Sequence, residues 1–403
     1  MLRLALRNIF RQRVRSAMTF AAIVFGVVGL VLSGGFVQDI FIQLAEALIH
    51  SQYGHIQINR KGYFEFGSRS PDKYVIADPK TLREALARHP GVTDAMARVS
   101  FSGLLNNGKA DLSVIGEGVE PDREARLSSH LRIAQGRQLA SRDAFGILLG
   151  QGVASTLKLA PGDRVTLLLN TSAGALNSLD FEVVGIFQSF SKEFDARAVR
   201  VPLEAAQRLL DTQGVNTIVV SLKETGETAR AAARIAASVD RGTFEVKAWY
   251  ELSDFYEKTV ALYRQQFGVL RFIILVMVLL SVANSVNMSA FERVGEFGTM
   301  MALGNRRGHV FRLIVTENLL LGLIGAAAGV ALGVILALII SAIGIPMPPP
   351  PNANLGYTAY IRIVPEELAM AFAVGFVATV AASLFPARRV TRIPVVEALR
   401  QNV

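Results

Sequence analysis

The chain has 403 residues, 51% of them hydrophobic and 19% charged, with a formal net charge of +9. That apolar content lies above the norm for soluble domains and places the chain in a membrane, where the positive charge reads as a topology signal rather than a nucleic-acid footprint. With no cysteine in the sequence, disulfide and thiolate-metal frameworks are excluded.

The chain opens on "MLRLALRNIFRQRVR", which sets Leu2, Leu6, Ile9 and Phe10 on one helical face and spreads Arg3, Arg7, Arg11 and Arg15 over another. This pattern predicts a surface helix at 1–15 lying along the inner leaflet. Ser16 to Gln38 then carries no charge and is long enough to cross a hydrocarbon core. Its length and the lack of an A-x-A-like site predict a retained anchor, 16–38, rather than a cleaved signal peptide.

The next segment, 39–266, mixes two periodicities. "HIQIN", "YVIA", "DLSVIGEG", "RVTLLLN", "FEVVGIF" and "NTIVVSL" are short, β-branched and bounded by turn residues, which predicts strands. "DPKTLREALARH" and "ETARAAARIAASV" repeat apolar residues at helical spacing, with Asp78 as an N-cap and Pro79 at the first helical position. "APGDRVTLLL" predicts a turn at Gly162 feeding a strand. The sum is an α+β domain.

Three more uncharged runs follow: Phe272 to Phe291, Asn318 to Tyr360 and Leu368 to Ala387. They predict crossings at 267–291, 312–345 and 366–387, the middle one ending near Ile345 because "IPMPPPPNANLGY" cannot continue a helix. Pro365 starts the last crossing with Glu366 and Glu367 in its first turn, leaving 346–365 as a proline-rich loop. Gly325, Gly329 and Gly333, four residues apart, predict close packing of the third crossing on another helix.

Orientation follows from the arginines. Arg3, Arg7, Arg11, Arg13 and Arg15 precede the first crossing, Arg293, Arg306, Arg307 and Arg312 join the second to the third, and Arg388, Arg389, Arg392 and Arg400 follow the fourth. All three segments, including the tail 388–403, are expected on the cytoplasmic side, with 39–266 and the proline-rich loop outside. The expected fold is an α-helical membrane protein with four transmembrane helices in a 1+3 arrangement plus a large extracytoplasmic α+β domain.

Three catalytic signals fail on inspection. "GLLNNGKA", Gly103 to Ala110, resembles G-x-x-x-x-G-K-S/T but has Ala110 where a magnesium-binding hydroxyl belongs, and Asn107-Gly108 between apolar runs predicts a hairpin instead. "STLK", Ser155 to Lys158, has no Lys-Thr-Gly partner. His50, His55, His89, His130 and His309 lack metal-ligand spacing. No ionisable group is expected deep within a crossing, only Ser281, Asn284, Ser285 and Asn287 in the second, so energy for any uphill transport must enter elsewhere.

The joint between the second and third crossings, 292–311, is the best entry point. "FERVGEFGTMMALG" predicts a helix from Phe291 that Gly304 stops, with Glu292 and Glu296 sharing a face. It resembles the E-R-x-x-E-I/F-G-x-x-x-A-L/I-G segment of ABC transporter permeases of the FtsX, MacB and LolC/LolE superfamily, matched by Glu292, Arg293, Glu296, Phe297, Gly298, Ala302, Leu303 and Gly304. The ending "LFPARRVTRIPVVEALR" is similar to that superfamily's closing signature at Pro386, Ala387, Pro394, Glu397, Ala398 and Leu399.

The resemblance implies mechanotransmission. Two permeases, copies or homologues, pair and dock on a cytoplasmic ABC ATPase dimer, whose closure on ATP moves the periplasmic domains. The ATPase contact is implied at Glu292 to Gly308, including Arg306 and Arg307. The chain itself is implied to be non-catalytic and cofactor-free, ATP and Mg being bound by a separate ATPase. The implied setting is a bacterial inner membrane, with both termini cytoplasmic and a MacB-like periplasmic domain. "GHIQIN" and "PMPPPP" look closest to the lipoprotein-releasing LolC/LolE branch. That implies extraction of a lipid-anchored or hydrophobic substrate with a periplasmic chaperone or adaptor. The alternatives are MacB-type efflux of drug, peptide or lipid, and an FtsX-like signalling scaffold that activates a cell-wall hydrolase.

Overall fold

A computed structural model describes residues 7, 8, 11, 13–67, 71–127, 131–171, 174–349 and 356–400. Most of the expected surface helix, with Leu2, Arg3, Leu6, Ile9 and Phe10, lies outside these residues, as do His130 and the loop from Pro350 to Leu355. In chain order the α-helices of six residues or more, among the described residues, are α1 (Arg13–Leu48), α2 (Pro79–Ala87), α3 (Pro121–Leu127), α4 (Gln151–Leu157), α5 (Leu203–Leu210) and α6 (Thr228–Ser238). Then come α7 (Asp254–Glu292), α8 (Val294–Ala302), α9 (Arg307–Ile343), α10 (Pro365–Thr391) and α11 (Val395–Arg400).

The chain divides into two compact units, one made of Met1–Phe41, Thr259–Pro346 and Thr358–Val403, the other of Ile42–Lys258 and Met347–Tyr357. The first unit is helical. The helices α1, α7, α9 and α10 are each long and apolar enough to cross a membrane. At about 1.5 Å per residue the longest of them exceed the roughly 30 Å of a hydrocarbon core, so they run on past the uncharged stretches that mark the crossings. Arg13 and Arg15 belong to the same helix as the first crossing rather than to a separate surface helix.

Apolar side chains along these helices, among them Ile23, Val27 and Val31 of α1, Val282 and Val286 of α7 and Ala378 and Ala382 of α10, form one buried cluster. Gly325, Gly329 and Gly333 of α9 face α1: a Cβ added at these positions would stand 3.1 Å from Ile23 Cγ2, 2.7 Å from Val27 Cβ and 2.9 Å from Val31 Cβ. Dispersion between close backbones, not water exclusion, holds such helices together in lipid. In the same unit Asp39 is fully buried and accepts from the Tyr360 amide at 2.9 Å and from Arg362 Nε at 2.7 Å.

The second unit is α+β. Its strands are β1 (Ile56–Arg60), β2 (Val92–Asn106), β3 (Asp111–Val119), β4 (Arg132–Gly136), β5 (Gly146–Gly150), β6 (Arg164–Asn170), β7 (Leu176–Gln188), β8 (Ala198–Pro202), β9 (Thr217–Leu222) and β10 (Phe244–Ala248). They form one sheet in the order β10-β1-β9-β2-β3-β8-β5-β7-β4, with β6 pairing both β2 and β7. Ile58, Val99, Leu149, Val183, Val201 and Val220 supply one continuous core, covered by α2, α5 and α6 through Leu86, Leu209 and Ile235.

Local chemistry explains the ends. Asp78 accepts from the Thr81 amide at 3.2 Å with Pro79 in the first turn, as an N-cap should. The β2–β3 hairpin turns where Asn107 Oδ1 accepts from the amides of Lys109 and Ala110 at 2.9 and 2.8 Å, so "GLLNNGKA" forms a strand–turn–strand and opens no helix. "YVIA" departs from expectation: Ile76 makes a single bridge to Val215. A 3-10 turn at Pro71–Tyr74 and the start of α2 leave no room for more.

Candidate functional site

The joint between α7 and α9 is not one helix. The chain breaks at Arg293 (φ −99°, ψ 9°), so Glu292 closes α7 while Glu296 lies in the first turn of α8, and the two carboxylates do not share a helical face. The break lets the Arg293 side chain turn inward, where Nη1 donates to Glu317 Oε2 at 2.7 Å and Nε to Glu296 Oε2 at 3.1 Å. Its guanidinium also sits 4.9 Å from the centre of the Phe297 ring. Burial works against the Arg293 charge, but hydrogen bonds and attraction from Glu317 and Glu296 outweigh it and raise its pKa.

The network extends to the N-terminal segment. Asn8 Nδ2 donates to Glu317 Oε1 at 2.6 Å, and Arg11 pairs with Glu296. Beside it is a polar cavity of about 40 Å³ lined by Asn8, Thr19, Ser285, Ser289, Arg293 and Glu317, with Thr19 hydrogen-bonded to Ser285. That volume is enough for a bridging water.

Glu317, which sequence reasoning did not single out, is buried in the third turn of α9, immediately before the uncharged run that begins at Asn318, so it lies near the start of the helix and not deep within the crossing. One signal was available. Its helical neighbours Leu313, Ile314, Leu320 and Leu321 are all apolar, so its charge had to find a partner on another element.

The remaining motif residues divide between two faces. Val294, Phe297 and Gly298 are buried, and Gly298 lies so close to α11 that an added Cβ would meet Ala398 Cβ at 2.8 Å. Ala302, Leu303, Gly304, Arg306 and Arg307 are exposed, Leu303 at 80% of its surface. Gly304 (φ +93°) ends α8 in a left-handed turn, its amide donating to Met301 O and that of Asn305 to Met300 O, both at 3.1 Å. On α11 of the same unit Val396 is likewise 80% exposed. The result is a helix held from behind by ion pairs, followed by an exposed turn that carries Leu303, Arg306 and Arg307 into the start of α9.

The exposed surface here combines one large apolar side chain, Leu303, with two arginines, Arg306 and Arg307. Among the described residues no group of three or more histidines, aspartates and glutamates could hold a metal ion. The structure thus separates the motif into residues that brace α8 and residues that can be touched.

Comparison with known proteins covers most of the chain. The model of the MacB-like periplasmic core domain matches residues 16–238, more than half of the sequence, and that of the FtsX-like permease C-terminal domain matches 268–395. A lipoprotein-releasing system transmembrane protein LolC of Xylella fastidiosa is 26% identical over 77% of this chain and 78% of its own. A macrolide export ATP-binding/permease protein MacB of Sodalis glossinidius is 28% identical over 82% of this chain and 51% of its own. Among solved structures, the periplasmic region of MacB from Actinobacillus actinomycetemcomitans aligns with 53% of this chain and 94% of its own at 14% identity and a TM-score of 0.36. With four apolar helices, a MacB-like α+β periplasmic domain and an FtsX-like C-terminal region, the chain belongs to the ABC transporter permeases of the FtsX, MacB and LolC/LolE superfamily.

Proposed function

We propose that this chain is the non-catalytic permease subunit of an ABC exporter that works by mechanotransmission, extracting a lipid-anchored substrate, a lipoprotein first of all, at the outer face of a bacterial inner membrane. A separate ABC ATPase dimer, carrying ATP and Mg, docks on the turn after α8. A second permease, copy or homologue, completes the complex, and a periplasmic chaperone or adaptor receives the cargo. The arginines flanking the crossings support cytoplasmic termini.

The observation that carries this reading is the two-faced joint: Leu303, Arg306 and Arg307 exposed for a partner, Arg293 and Glu296 fastened to α9 and the N-terminal segment behind them. Such a part transmits a push from one side to the other. The LolC relative favours lipoprotein as cargo, and the MacB relative favours efflux of a smaller hydrophobic compound as the second reading.

Reconstitution separates them. The permease and its co-purifying ATPase, placed in liposomes bearing a triacylated lipoprotein, should transfer that lipoprotein to the soluble fraction only when ATP is supplied. Absence of release together with ATPase stimulation by a macrolide would favour efflux. Activation of a wall hydrolase with neither would favour a signalling scaffold.

A further inference from the structure

The helix α1 does not stop at the end of its uncharged run. It continues as far as Leu48 and passes into a single π-helical turn, Ile49–Tyr53, whose last carbonyls have no partner farther along the helix. Two buried guanidiniums meet them. Arg200 Nη2 donates to Ser51 O at 2.8 Å and Arg98 Nη1 to Gln52 O at 2.5 Å. Cations at a helix C-terminus oppose the negative end of its dipole.

Both arginines are in turn held by carboxylates. Arg98 grips Glu124 through two bonds of 2.7 and 3.1 Å, and Arg200 reaches Glu117 at 3.0 Å and Glu124 at 3.2 Å. Arg98, Arg200 and Glu124 are no more than 3% exposed. The four residues come from β2, β3, α3 and β8, so the cluster ties the helix end to four separate elements of the α+β unit. Around it Trp249 packs on Leu44, Ala45, Leu48 and Ile49, His50 Nδ1 bonds Leu127 O at 2.9 Å, and Thr225 donates to Glu46 at 2.6 Å.

A core that had only to be stable would do as well with apolar side chains in place of these charges. What these desolvated ion pairs add is direction: a greasy seat lets a helix end rotate or slide, whereas two guanidiniums held in place by Glu117 and Glu124, each donating to its own carbonyl of the helix end, fix its register. We infer that Arg98, Arg200, Glu117 and Glu124 form the joint that passes movement of α1 into the α+β domain. They act as positioning residues, and the inference rests on the mechanotransmission reading above.

The test uses the full permease with its co-purifying ATPase and reads amide hydrogen exchange of the α+β domain with and without ATP, alongside lipoprotein release. Three chains are compared: the native one, Arg98→Met/Glu124→Leu, which replaces one buried pair by apolar groups of similar size, and Arg200→Lys, which keeps the charge without the fork. The native chain should show ATP-dependent exchange changes within 56–248. Each folded variant should hydrolyse ATP at the native rate while that response falls roughly tenfold or more. If the double variant does not fold, Arg200→Lys carries the test. A response of native size in a folded variant, or no response in the native chain, overturns the joint. An exchange response in the native chain without any lipoprotein release would instead refute the cargo assignment and leave the joint standing.

Discussion

Replacing Arg293 with alanine is expected to destabilise the helical unit by on the order of 3–5 kcal/mol, because it strands a buried carboxylate. Glu317 would keep only Asn8 among the partners described above, and its apolar helical neighbours offer no substitute. Glu317→Ala should cost less, on the order of 1–3 kcal/mol, because the guanidinium keeps Glu296 and the Phe297 ring. The double variant Arg293→Met/Glu317→Leu should recover most of the loss, since an apolar pair of comparable size removes both unpaired charges at once. Titration of the purified protein in detergent micelles with sodium dodecyl sulfate, followed by circular dichroism, reads all three. Single variants that unfold with the native midpoint would mean that water reaches Glu317 and that the pair does not brace α8.

The second large effect is expected at Gly329. An added Cβ there would lie 2.7 Å from Val27 Cβ and 3.2 Å from the Val24 carbonyl oxygen, and the latter, as helix backbone, cannot move aside alone. Gly329→Leu must therefore push α9 away from α1, costing roughly 3 kcal/mol or more by overpacking and lost contact. Gly29 is the control on the facing helix, with nothing within 4 Å of its added Cβ. Gly29→Ala should be neutral or stabilising by up to about 1 kcal/mol through helix propensity. The same unfolding titration compares them, and equal midpoints for the two variants would contradict the packing.

What the sequence makes legible follows physical range. Uncharged runs announce α1, α7, α9 and α10 because the hydrocarbon core tolerates little else, and Asp78-Pro79 and Gly304 announce helix ends because their chemistry is local. Short strands such as β5 ("GILLG") and β8 ("AVRVP") give no such sign, being buried on both faces, without polar alternation, and only five residues long. "YVIA" has strand composition but is cut short by its neighbours.

The candidate site divides in the same way. The motif from Glu292 to Gly304 is visible as a pattern, yet the break at Arg293 depends on Glu317, 24 residues away, and on Asn8, 309 residues from Glu317. The buried joint around Arg98 and Arg200 is hidden for the same reason, since it brings β2, β3 and α3 together with β8, 83 residues on from Glu117, and with the end of α1, 149 residues from Arg200. Helical periodicity placed Glu292 and Glu296 together; long-range ion pairing overrode it.

The most direct test of the central claim, that energy enters through the turn after α8, exploits the absence of cysteine. Leu303→Cys carries the chain's single thiol on its exposed surface, where a short bifunctional reagent can reach a bound partner. In native membranes the account predicts a cross-linked product that mass spectrometry identifies as the permease joined to an ABC ATPase, with a yield that changes when ATP is added. Membranes containing the active ATPase but giving no such product from Leu303→Cys would contradict it.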